Sequence, residues 1–343
     1  MRIIKYKRQL EELALEPENF EDLWHLMKII NKGDVVISKS IRRYKSEGES
    51  RSAGEKKEVT VELLVDRVEL HKHANVLRVI GKILGGFPEE YIQKGSFHTV
   101  DVEPGYVYKI RKTQWTTYDK GRIRDAEKSA RRPTIRIVVM DDKLANVATL
   151  RGYGVDFDFE LQSRTSKRDD AYEENMRKYF AEIEKIIIGS KRVLIAGPGF
   201  TTESFRDYIK NRNPKLLKMV TIEHTSTAEK SGVYELIKSG AIKKLTKEDR
   251  ISTEFGKMEK YMAEKGKESG LAVKGNEEVK EAISYGAVGE LYVLDDLVRK
   301  DPSILDEAKA KGVAITVFTS EEEPWKQLKK FGGIVGILRF RIK

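Results

Sequence analysis

The chain has 343 residues, 35% of them charged, and a net charge of +10. Its length suffices for two or three domains with separate cores, and its charge favours a soluble protein with an anionic partner, nucleic acid being the usual one. There is no cysteine, which excludes disulfides, thiolate metal sites and cysteine nucleophiles, and no apolar run approaches the about 20 residues of a membrane span. The first residues, MRIIKYKRQLEEL, are charged every few positions and lack a signal-peptide core. Abundant Lys and Glu without Cys fit a heat-adapted cytoplasmic protein.

Residues 1–125 predict many short strands and one helix. Asn19 is placed to cap a helix through Phe20–Ile30 with an apolar stripe of Leu23, Leu26, Met27 and Ile30. Strands are expected at Asp34–Ile41, Glu58–Arg67, Asn75–Leu84, Ser96–Val102 and Tyr106–Ile110, which together suit a small barrel. Within it, Ser38–Lys57 carries seven basic residues against Glu47, Glu49 and Glu55. Two readings stand at this point: a solvated hairpin extension, or a binder of single-stranded RNA in which Arg42, Arg43, Lys45, Arg51, Lys56 and Lys57 meet phosphates and Tyr44 stacks. Farther on, Lys109–Arg136 holds ten Lys and Arg against three acids, a local charge of +7. Residues 126–133 form its basic linker, stopping at Pro133.

Residues 134–250 alternate strand and helix. Thr134–Met140, Leu144–Arg151 and Val155–Leu161 predict an antiparallel meander, followed by a helix over Ala171–Ile187 and a buried strand at Arg192–Ala196. Strict alternation would set Asp156, Asp158 and Glu160 on one face opposite Phe157 and Phe159, more simply a wet sheet face than a metal site. Gly197-Pro198-Gly199 turns directly into a helix at Thr202–Lys210, but no Lys-Ser/Thr follows and Thr202 replaces the third dinucleotide-loop glycine, so nucleotide binding is not expected. Phe200 stands at the mouth of that turn, where a partner could cover it. A strand at Leu217–Glu223 and a helix at Gly232–Ser239 complete an α/β domain. His224-Thr225-Ser226 lacks an orienting acid for nucleophilic catalysis. The histidines show no zinc spacing.

Residues 256–343 predict another α/β unit: a helix capped by Asn276, strands at Glu290–Leu294, Val313–Phe318 and Ile334–Phe340, and helices near Ile304–Ala310 and Pro324–Lys330.

Several blocks resemble one family in order: Glu21-Asp-Leu-Trp-His-Leu26 with Gly33-Asp34; Ala196-Gly-Pro-Gly-Phe200 with His224-Thr-Ser226 and Ser231-Gly-Val-Tyr-Glu-Leu236; and Tyr285-Gly-Ala-Val288, Leu294-Asp-Asp-Leu297 and Gly332–Phe340. The chain resembles the Pelota family of ribosome-rescue factors, relatives of class-1 translation termination factors. The resemblance implies a multidomain α+β and α/β protein. Its parts would be an N-terminal Sm-like β-barrel, a central RNase H-like domain, and a C-terminal α/β/α sandwich similar to kink-turn-binding ribosomal proteins.

It further implies entry into the vacant A site of stalled ribosomes, with the 38–57 loop in the decoding site and mRNA channel. Subunit dissociation would involve an elongation-factor-1-alpha-type GTPase and an ABC-type recycling ATPase. Pro198, Gly199 and Phe200 become the candidate GTPase contact. Termination factors carry a Gly-Gly-Gln loop near 162–170; here Gly-Gly pairs occur at 85–86 and 332–333 only, so peptidyl-tRNA hydrolysis is not expected. Arg164, Lys167 and Arg168 remain as RNA-contact candidates in that loop. The expected protein is a cytoplasmic monomer when free, with no membrane association, cofactor or resident metal. The alternative is a divalent-metal endoribonuclease using Glu18, Glu21 and Asp22, although acids in a first helical turn ordinarily complement the helix dipole.

Overall fold

The structure, a computed structural model, describes residues 1–44, 55–129, 134–163, 170–245 and 250–342. Two units emerge, Met1–Arg131 with Val298–Pro302, and Arg132–Leu297 with Ser303–Lys343.

The first unit is built on seven antiparallel strands: β1 (Arg2–Lys7), β2 (Glu12–Glu16), β3 (Val35–Tyr44), β4 (Glu55–His71), β5 (Val76–Phe87), β6 (Phe97–Val102) and β7 (Tyr108–Arg111). Their order is β1-β2-β7-β3-β4-β5-β6, and the last strand curls back towards the middle one, with His98 Nε2 2.8 Å from Ser40 Oγ. Alternate residues Val59, Val61, Leu63 and Val65 of β4 point inward. They pack with Leu23, Leu26 and Ile29 of α1 (Phe20–Ile29), which Asn19 caps by accepting the Asp22 N–H at 3.1 Å.

Sequence periodicity did not signal β1, because this edge strand leaves Ile4 and Tyr6 exposed among its charges and so shows no half-buried pattern. Much of the basic stretch before Pro133 is a second helix, α2 (Thr117–Ser129), packed into the unit: Ala126 is fully buried and the Arg122 guanidinium lies 4.3 Å from the Trp24 ring centre. The local positive excess is thereby partly spent inside the fold. Lys112 is buried against Asp34 at 2.6 Å, and Arg111 reaches Glu12 at 3.0 Å.

The second unit holds two sheets. The larger contains β8 (Ile135–Met140), β9 (Leu144–Arg151), β10 (Gly154–Gln162), β11 (Arg192–Gly197) and β12 (Val220–His224). In the order β10-β9-β8-β11-β12, an antiparallel meander continues into two parallel strands. Its central strands, β9, β8 and β11, bury both faces. Ile137, Val139, Leu194 and Ala196 meet α6 (Lys230–Lys238) and α7 (Ala241–Leu245), whereas Val138, Met140, Val193 and Ile195 meet α3 (Tyr172–Ile187) and α4 (Thr201–Arg212). The short α5 (Pro214–Leu217) precedes β12. Continuous apolar runs such as Val193–Ala196 follow from this two-sided burial.

Helix α8 (Arg250–Gly266) was not among the expected elements, and it serves two cores. Ile251 and Phe255 fill the lower face of the five-stranded sheet, while Met258 and Tyr261, farther along the same stripe, pack with Tyr292, Phe318 and Leu328. Tyr292 and Phe318 belong to a four-stranded sheet of β13 (Ala272–Lys274), β14 (Val288–Leu294), β15 (Ala314–Phe318) and β16 (Ile334–Leu338), ordered β13-β16-β14-β15. Around it lie α9 (Asn276–Ser284), α10 (Asp295–Lys300), α11 (Ser303–Ala310) and α12 (Glu323–Lys330). Asn276 is the first helical residue of α9 instead of its cap; Gly275 takes the cap position without a side-chain bond.

Candidate nucleic-acid interface and docking turn

Strands β3 and β4 run past the core as a two-stranded ribbon. The buried ladder ends near Val59, and the register then pairs Ile41 with Glu58, Arg42 with Lys57 and Arg43 with Lys56, ending at Tyr44 and Glu55. Like charges placed directly opposite destabilise a strand pair. The backbone register thus sets two basic pairs in succession along the ribbon; the side chains of Arg42, Arg43 and Tyr44 lie outside the described part of the structure. Lys57 Nζ also lies 5.9 Å from the Tyr91 ring centre, and Lys82 Nζ 5.6 Å from that of Phe97 on β6. Phe87 and Phe97 are exposed on the same unit. These lysine–ring pairs escaped the sequence reading because each joins residues on different elements; Lys82 and Phe97 face one another only through the β5–β6 register. Lys45 and Arg51 lie outside the described residues.

The turn after β11 is fixed by close packing. A Cβ at Gly197 would stand 1.8 Å from the Met140 carbonyl oxygen, so no side chain fits there. Gly199 has φ +70°, a left-handed backbone that glycine adopts without strain. Pro198, Gly199 and Phe200 are thus presented on a rigid corner, and the Phe200 carbonyl accepts the Ser204 N–H at 3.1 Å as α4 begins. Phe200 is 84% exposed. Beside it is a 450 Å³ depression that Asp141, Asp142, Tyr172 and Met176 help to line.

The acids of the nuclease alternative have other work. Glu18 and Asp22 both face the Met1 ammonium, at 2.9 and 2.5 Å, and the Asp22 side chain is fully buried. Asp22 also accepts the Glu18 backbone N–H at 2.8 Å. The ammonium hydrogen bond is the largest influence on Glu18 and holds its carboxyl below the usual range. Glu21 occupies the first turn of α1. Among the described residues, no group of three or more His, Asp or Glu has an arrangement able to hold a metal ion.

A family profile for the Pelota N-terminal domain matches residues 1–127, one for eRF1 domain 2 matches 134–247, and one for eRF1 domain 3 matches 251–342. The Pelota homolog of Pyrococcus furiosus is 35% identical, with the whole of both chains covered. The chain belongs to the Pelota family. The Thermoplasma acidophilum Pelota crystal structure superposes with a TM-score of 0.78 at 23% identity, covering both chains completely. Saccharomyces cerevisiae Dom34, described as a translation termination-like factor involved in RNA quality control pathways and interacting with Hbs1, gives 0.58 at 19%, covering 100% of this chain and 99% of the other. Both share the fold: three α/β-containing domains with a β-rich one first.

In this Pelota-family chain, Arg164, Lys167 and Arg168 lie outside the described residues. The described chain before them ends at Ser163, whose N–H and hydroxyl donate to the Lys143 and Asp142 carbonyls at 2.8 and 2.6 Å. The acids of β10 do not keep the expected alternation. A bulge between Phe157 and Phe159 leaves Phe159 half exposed, and the nearby carboxylates are paired: Asp156 with Arg151 and Tyr153, Asp158 with Arg136 and Thr149. In the His224-Thr225-Ser226 landmark, Ser226 donates both its N–H and its hydroxyl to Glu235, at 3.0 and 2.7 Å.

Proposed function

We propose that this chain is a ribosome-rescue and mRNA-surveillance factor of the cytoplasm. It occupies the vacant A site of a stalled ribosome and promotes subunit dissociation with a translational GTPase and an ABC-type recycling ATPase. It hydrolyses no peptidyl-tRNA and works without a cofactor of its own, as a monomer when free. The observation that carries this reading is the β3–β4 ribbon, where two consecutive like-charged rungs extend beyond any core. Such a ribbon suits an electrostatic, backbone-directed contact with single-stranded RNA. Family membership supplies the ribosomal context, and the interaction of the yeast neighbour with Hbs1 supports a second protein partner. The exposed Phe200 corner is the surface proposed for that partner. Arg164, Lys167 and Arg168 are proposed to add contacts to ribosomal RNA.

Co-sedimentation with ribosomes whose A site is empty or filled, across a salt series, tests the reading. Preferential pelleting with empty ribosomes, weakening steeply with salt, is the expected result. Equal pelleting with both would sink it.

A further inference from the structure

The two sheets of the second unit are joined by α8, which is embedded in both cores, and by a surface contact of a different character. The segment Thr319–Glu322 leads from β15 to α12. Its first half is tied inward: buried Glu254 of α8 accepts the Thr319 N–H at 2.9 Å and also the Ser320 hydroxyl. Its second half reaches outward. Glu322 sits at the N-cap of α12, yet α12 has no side-chain cap bond. A short Ser, Thr, Asp or Asn there would turn back onto its own helix, whereas glutamate is long enough to reach beyond it. Its carboxylate crosses to the other sheet and to α6, accepting the Val155 N–H at 2.8 Å and the Tyr234 hydroxyl at 3.1 Å.

Three further observations mark this contact as built. A Cβ at Gly154 would lie 2.8 Å from Glu322 Oε1, so the β9–β10 turn admits the carboxylate only because it lacks a side chain. Tyr234 is braced between rings, 6.0 Å from Phe157 and 6.3 Å from Phe255. Glu321 has a left-handed backbone, φ +55°, a conformation unfavourable for a residue with a side chain and one that concentrates at switch regions. Beside the contact lies an 850 Å³ cleft lined by Tyr234, Lys238, Phe255, Glu322 and Lys326, room into which the elements can move.

We propose that Glu322 is a releasable latch between the two sheets, and that α8 is the axle that keeps them connected when the latch opens. The carboxylate is only half-buried, so water competes for it. The deep ties at Thr319 and Ser320 persist, and release permits rotation about α8 without separation of the cores.

Because the chain contains no cysteine, two introduced ones label uniquely. Spin labels at Lys191→Cys and Lys309→Cys, both exposed positions, report the distance between the two halves of the unit by pulsed electron resonance in the full chain. The expected result is a single narrow distribution in the labelled parent. Glu322→Ala should raise a second, displaced population by roughly tenfold, the change expected on losing one charged hydrogen-bond acceptor. Tyr234→Phe removes only the hydroxyl and should give a smaller change; it decides the matter if Glu322→Ala loses its circular dichroism. Glu323→Ala, next in sequence and exposed, should leave the distribution unaltered. An unchanged distribution in folded Glu322→Ala, or an equal response in Glu323→Ala, overturns the latch. The readout involves no ribosome, so it fails or succeeds independently of the proposed function.

Discussion

Phe200 keeps a large apolar ring in water at a corner held by Gly197 and Gly199, so its removal takes little from the core, and the proposed GTPase contact is where its ring would count. Phe200→Ala is expected to weaken binding of an elongation-factor-1-alpha-type GTPase about tenfold, with an unchanged melting temperature; calorimetric titration beside a melting curve checks both. Asp22 is the converse case. Its buried carboxylate faces the Met1 ammonium, so Asp22→Ala leaves that ammonium with Glu18 alone and should destabilise the first unit by about 2 kcal/mol in denaturant titration. Glu254 gives a pH signature. Burial is the largest influence and pushes its carboxyl up from 4.5 to about 7, against the opposing bonds from Ser320 and Thr319. The folded protein therefore binds an extra proton between those values, and stability falls as pH rises from 4.5 through about 7. Glu290 acts in a separate window. Burial raises its pKa, but hydrogen bonds from Lys257, Lys260 and Tyr292 outweigh this and bring it to about 2, so its contribution is present above 4.5 and lost as pH falls towards 2. Melting temperature against pH should show a decline above 4.5 that disappears in Glu254→Gln; a decline that persists would assign it elsewhere.

Elements explain why some readings succeeded and others did not. β11 was legible because both its faces are buried, giving an unbroken apolar run, and α1 because its stripe and its Asn19 cap are local. β1 was hidden by exposure; β10 was legible as a strand, but its bulge, which leaves no trace in the sequence, broke the alternation expected of its acids. The Lys112–Asp34 pair joins residues 78 positions apart, so the sequence could show only a charge excess where the fold has a buried pair. The β3–β4 ribbon was visible as basic composition, but its opposed rungs needed the register. Lys56→Ala/Lys57→Ala should leave the core intact, lower ribosome affinity, and flatten the slope of log affinity against log salt by about 1.5, near the value for two single-strand phosphate contacts. A parallel shift with unchanged slope would mean that these lysines meet no phosphate.

At the scale of the molecule, the order of the domains was readable from three blocks of resemblance, whereas the joint between the last two was not. Helix α8 shows a helical stripe at Ile251, Phe255 and Met258, yet it falls where a boundary was drawn, since a pattern cannot say that its two ends serve different cores. Synthesis proceeds from the amino end, so the five-stranded sheet emerges from the tunnel with one of its faces unfinished. It can close that face only after Phe255 has followed. A fragment stopped at Leu245 would keep every strand of that sheet and still show solvent the apolar floor that the next helix covers, making the last domain's first helix a structural requirement of its predecessor.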